Sequence, residues 1–184
     1  MYPYTLNPVY SQAFKIGDHE VEVPKCVLRF QYWEGKRFID TFGGRILISV
    51  DGEPVFPEVN LLNQFMADGW QSRWLVTYGR AKSTPLYLSG WQDDTLANQQ
   101  PEPIEEEPIA KLMAAIAKAN GGSYMGCWDT LHWKDDEVIF AQSKRNNKDK
   151  ITPANVNWLK AALSVGLKAD NFLIVQWDFH PRSA

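Results

Sequence analysis

Residues 126–177 decide how this chain is read: GCWDTLHWKDDEVIFAQSKRNNKDKITPANVNWLKAALSVGLKADNFLIVQW. Cys127 to Trp133 and Glu137 to Lys144 are rich in aromatic and β-branched residues, and the polar Lys134-Asp135-Asp136 separates them, so the spacing predicts a hairpin. With Asp135 and Asp136 as a two-residue loop, Lys134 faces Glu137, and counting back along both strands sets Asp129 opposite Gln142. Directly opposed side chains share a face, with Cβ atoms about 4.5–5.5 Å apart. Lys144 lies two residues beyond Gln142 and points to that same face. An acid, an amide and an ammonium therefore converge. After the basic loop RNNKDK, Thr152 can cap and Pro153 begin a helix reaching about Val165, with Val156, Leu159 and Leu163 as its buried stripe. Phe172 to Trp177 is an apolar run suited to the middle of a sheet.

Working outward, Pro57 opens a helix to about Asp68, with Glu58 in its first turn and Gly69 just past its end. Trp74 to Tyr78 reads as a strand, Gly79-Arg80-Ala81-Lys82 as a short basic loop, and Leu86 to Leu88 as another short strand. Gln92 to Pro108 contains PEPIEEEP and is expected to be a solvated acidic insertion. Ile109 to Ala119 follows as a helix, ended by Asn120-Gly121-Gly122. In the first third, Val21 to Trp33 and Arg45 to Val50 favour strands and predict a small antiparallel sheet, preceded by an irregular lead-in from Met1 to Gly17. The expected organisation is a β-rich N-terminal extension (1–56) and an α/β core (57–184) carrying the insertion at 92–108, packed as one compact domain.

Composition narrows the function classes. A net charge of -3 over 184 residues neither demands nor excludes a polyanion, so charge must be judged locally. Two distant cysteines without metal-type spacing argue against a disulfide framework or a zinc site. The N-terminus lacks the basic and apolar regions of a leader, and no apolar run approaches membrane-spanning length. The expectation is a cytoplasmic protein without a membrane partner.

Without the helix after the insertion, the order from Pro57 is helix, three strands, helix, strand. With Asp129 on the second strand and Gln142-Ser143-Lys144 on the third, this resembles the PD-(D/E)XK nuclease superfamily. GCWD, VIFAQSKR and DKITPANVNWLKAAL are most similar to VRR-NUC-like domains. The resemblance covers roughly two thirds of the chain and implies an α/β fold with a restriction-endonuclease-like mixed sheet flanked by helices. It also implies a Mg²⁺- or Mn²⁺-dependent nuclease acting on DNA in repair, recombination or defence, as a homodimer or with a helicase or repair partner.

Phosphodiester hydrolysis needs an activated water and neutralised charge on the phosphate, and a hard divalent cation serves both. Mg²⁺ keeps several waters, so one or two carboxylates suffice. The resemblance makes Asp129 the principal ligand, with the Gln142 side-chain oxygen and the Ser143 carbonyl as neutral ligands. Lys144 would hold the attacking water or stabilise charge on the phosphate, and Glu58, as the first-helix acid, would hold a metal-bound water or a second ion. Arg145, Lys148, Lys150, Asn155, Arg80 and Lys82 are the expected nucleic-acid contacts; Lys144 to Lys150 carries a local charge of +3. His132 falls on the face opposite Asp129 and reads as structural. The superfamily most often has an acid where this chain has Gln142, and Asn155 stands where the VRR-NUC pattern favours Gln. Gln142 keeps a rival open, a domain that retains the fold and binds nucleic acid or a partner without cutting.

Overall fold

A computed structural model of the chain describes residues 2–78 and 83–181. Its elements are β1 (Tyr10–Ile16), β2 (His19–Tyr32), β3 (Ile48–Val50), β4 (Glu53–Val55), α1 (Pro57–Ala67), β5 (Gln71–Val76), β6 (Leu86–Leu88), α2 (Glu107–Ala119), β7 (Thr130–Lys134), β8 (Glu137–Arg145), α3 (Pro153–Ser164) and β9 (Phe172–Phe179). The fold is mixed α/β: the nine strands among the described residues form one open sheet in the order β4-β3-β2-β9-β8-β7-β5-β6, with β1 paired to β2. The pairs β2–β9 and β8–β9 are parallel, and the remaining pairs are antiparallel.

The hairpin keeps the expected register. Lys134 faces Glu137 and Thr130 faces Ala141, with Asp135 in the left-handed region at φ 50°. Strand β8 is buried on both faces, which suits an interior strand. Phe140 packs with Trp128, Phe172, Trp158 of α3 and Met113 and Ile116 of α2. Ile139 and Ala141 point the other way, to Leu61 and Phe65 of α1. A third apolar group, Phe42, Phe56, Leu62, Trp74 and Leu88, underlies the irregular segment between β2 and β3.

Three expectations change. The N-terminal third is not a separate antiparallel sheet: Lys25 to Phe30 of β2 pair in parallel with Ile174 to Phe179 of β9, joining it to the core. The supposed lead-in contains β1, which forms a hairpin with β2 through Gly17-Asp18, where Ile16 faces His19. Phe14 is the only buried residue of β1, so the strand shows no apolar period. The acidic insertion is tethered as well as solvated. Buried Arg73 donates to the Glu102 carbonyl at 2.8 Å and pairs with its carboxylate at 2.6 Å, while Glu107 already belongs to α2. Along α3, Trp158, Leu159, Ala161 and Ala162 are the buried apolar residues, and Val156 and Leu163 only partly so. Among the described residues, no helix is long and apolar enough to cross a membrane.

Candidate functional site

Asp129 lies one residue before β7, just beyond the last ladder pair of the hairpin. Its backbone carbonyl accepts from Leu75 N at 2.7 Å, which fixes it against β5. One carboxylate oxygen, Oδ2, accepts from the Gln142 side-chain amide and from Ser143 N at 2.9 Å. Two donors on one oxygen favour the ionised acid and leave Oδ1 outside this pair of bonds.

Gln142 does not present the oxygen that the sequence assigns to a metal. The amide orientations form a chain that starts at a group able only to donate. Thr152 N donates to Asn155 Oδ1 at 3.0 Å, so Asn155 Nδ2 must point away from it. That nitrogen donates to Gly126 O at 3.0 Å and to Gln142 Oε1 at 3.3 Å. The Gln142 nitrogen is thereby turned to Asp129. Gln142 is 2% exposed, so its oxygen has no open side from which to reach an ion.

The same chain corrects the role of Asn155. At 7% exposed it completes a capping box with Thr152, and its amide is engaged on both sides. It braces the site from within instead of meeting a polyanion. Gly126 makes this approach possible, because at φ 79° a Cβ would collide with the Ala154 backbone carbonyl.

Glu58, in the first turn of α1, faces the same region. It is 6% exposed; Oε1 pairs with Arg45, and Oε2 is buried without a hydrogen-bond partner. Burial pushes the Glu58 carboxyl above its usual range, Arg45 pulls it back, and Asp129 pushes it up again. Asp129 is raised by the same desolvation, against the attraction of Lys144 and Arg45. Burial works against the Arg45 charge too, but Glu58 and Asp129 hold the guanidinium above its ordinary value.

The basic residues line two openings, and Arg145 borders both. Arg145 and Lys148 line a cleft of about 490 Å³ together with Arg45, Glu58, Tyr78 and Trp177. Lys144 and Lys150 line a neighbouring cleft of about 330 Å³ with Gln12 and Gln176. The Lys144 charge nonetheless bears on both Asp129 and Glu58. The loop between is a built turn: Arg145 N donates to Asp149 Oδ2 at 2.9 Å, and Asp149 N to Arg145 O at 3.0 Å. Ser143 is held from its other side by Trp177 Nε1, which donates to its hydroxyl at 2.9 Å. Arg80 and Lys82 lie outside the described residues. His132 is buried between Ser72 and Thr130, each 2.8 Å away, and stacks on Phe65, as a structural residue should.

Arg45 was missed by sequence reasoning. It sits in a strand-favouring stretch, and the signal that marks it is the pair of glycines before it, Gly43 and Gly44, both at positive φ. Such a turn can bring a backbone and its next side chain into a narrow space.

Among the described residues, no three His, Cys, Asp or Glu side chains form a metal-holding group. The donor set is two carboxylates. That fits a cation which retains most of its waters, and the orphaned Glu58 Oε2 is the atom with an unmet demand for a positive partner. No protein-family profile, curated protein or solved structure matches the chain.

Proposed function

We propose that this protein is a metal-dependent nuclease that hydrolyses phosphodiester bonds in nucleic acid, most naturally DNA. The observation that carries the reading is a nearly enclosed Glu58 carboxylate on α1 with one oxygen unpartnered, near enough to Asp129 of the hairpin and to Lys144 to feel both charges. Asp129, Glu58 and the Ser143 carbonyl are the oxygens that would hold Mg²⁺ or Mn²⁺, which when bound supplies charge neutralisation at the phosphate. The chain does the rest. Gln142 and Ser143 N aim Asp129, Lys144 offsets charge developing on the phosphoryl oxygens, and Arg145 and Lys148 draw the polyanion into the larger cleft. Repair, recombination or defence are the settings that such chemistry suits, with a second copy or a helicase or repair protein as partner.

The test is incubation of purified protein with labelled single-stranded, double-stranded and branched DNA in Mg²⁺, Mn²⁺ or EDTA. Cleavage that needs metal and disappears in Asp129→Ala and Lys144→Ala supports the reading. Absence of cleavage on every substrate, or its persistence in Asp129→Ala, overturns it. A second reading, a domain that binds nucleic acid without cutting, is favoured by one specific observation: the Gln142 oxygen is turned to Asn155 and away from the acids. Binding without cleavage in the same experiment would select it.

A further inference from the structure

Arg45 is a strong charge at the site with no part in the chemistry above. Its guanidinium pairs with Glu58 and lies over two aromatic rings, 5.0 Å from the centroid of Phe42 and 5.2 Å from that of Trp74. Its loop is braced from several directions. Arg37 Nη2 donates to the Arg45 carbonyl at 3.1 Å, and Phe42 stacks on Trp91 at 5.4 Å. The preceding segment is tied to the acidic insertion, with Ile39 N donating to Asp93 at 2.6 Å and Leu96 N to Asp40 at 2.8 Å. A guanidinium held this way loses little freedom when it pairs, so the ion pair is built into the fold and is no chance surface contact. The Arg45 side chain is 33% exposed on the cleft that also holds Arg145 and Lys148.

We infer that Arg45 is the resident counter-cation of the Glu58–Asp129 pair, and that it competes with a divalent ion for Glu58. This rests on the reading that these acids hold such an ion. Glu58 is nearly enclosed, with one oxygen on Arg45 and the other unpartnered. A dication at those oxygens would share the space with an unmoved guanidinium and meet its repulsion. The paired state therefore stabilises the two acids without metal and weakens the site for metal. A phosphate entering the cleft offers Arg45 another partner, so a phosphate that draws Arg45 from Glu58 tightens metal binding, and metal tightens phosphate binding by the same factor. Arg45 is a positioning residue in this scheme, acting through Glu58.

The experiment measures Mn²⁺ affinity of the full chain directly, from the resonance of free Mn²⁺ at pH 8, so that no readout depends on cleavage. Wild type, Arg45→Met, Arg45→Lys and Arg45→Met/Glu58→Gln are compared. The expectation is roughly tenfold tighter binding in Arg45→Met, a smaller gain in Arg45→Lys, and loss of the gain when Glu58 is also changed. Arg45→Lys keeps the charge and carries the test if Arg45→Met does not fold. Affinity equal to or weaker than wild type in the Arg45 variants overturns the competition and leaves the metal reading standing. No Mn²⁺ binding by any of the four proteins overturns both.

Discussion

At position 142 a neutral amide suits what a carboxylate would not. Asn155 and Asp129 require an acceptor on one side of the side chain and a donor on the other, and glutamine offers both. Gln142→Glu keeps the bond from Asn155 but sets a second carboxylate against Asp129. Without metal, this variant should be less stable than wild type by about 1–3 kcal/mol in denaturant titrations, the range for a buried polar group left unsatisfied. With Mn²⁺ the loss should shrink, and the metal concentration needed for cleavage should fall. An unchanged apo stability would mean that the amide is not what holds Asp129. His132 gives a pH prediction. Burial holds its imidazole well below its ordinary value, so the unfolded chain binds a proton that the folded chain refuses. Its contribution is fully present above about pH 6.5 and is lost as pH falls below that, at up to about 1.4 kcal/mol per unit. His132→Gln should flatten the fall in unfolding free energy between neutral and mildly acid pH, measured against wild type; parallel curves would refute this. At this scale the sequence was partly legible. Asp129 and Gln142 followed from counting along two strands, because opposed positions in a hairpin are a local matter. The direction of the Gln142 amide was not, since it depends on a cap twelve or so residues on, in another element. Arg45 carried only an indirect mark, the two glycines before it, because only tertiary packing brings it to Glu58.

The elements show where local signals suffice. The β7–β8 hairpin and α3 lie where alternation, a two-residue loop, a capping threonine and an N-terminal proline put them. Strand β2 gave no hint of its parallel neighbour, because Lys25 faces Ile174 near the opposite end of the described chain and pairing at that separation leaves no local mark. The turn after β8 carries two lysines into two different clefts. Lys148→Ala and Lys150→Ala should therefore each weaken nucleic-acid binding separately, each lowering the slope of log affinity against log salt by about 0.7–0.9. If neither variant changes affinity or slope, the turn faces only solvent. Asn155→Ala removes the cap partner and the brace on Gln142 together. It should lower stability by about 1 kcal/mol and weaken metal binding as well, whereas a stability loss alone would limit Asn155 to capping α3.

Across the whole molecule, β9 is the seam. Ile174 stands opposite Lys25 on one side and Gln142 on the other, joining the N-terminal strands to the hairpin that carries the site. It is 2% exposed, so Ile174→Ala should cost about 2–5 kcal/mol by denaturant unfolding, and a cost near zero would mean that the two halves hold without it. The central place of this strand also dictates a timetable for biosynthesis. As the chain leaves the ribosome, β2 and β8 emerge with their facing edges bare, and each waits for residues made later than itself. Until residues 172–179 are clear of the exit tunnel, the half-built sheet offers open strand edges to any neighbouring polypeptide. Protection from protease should therefore arrive in one late step instead of growing with chain length, and the nascent protein should need a chaperone most just before that step.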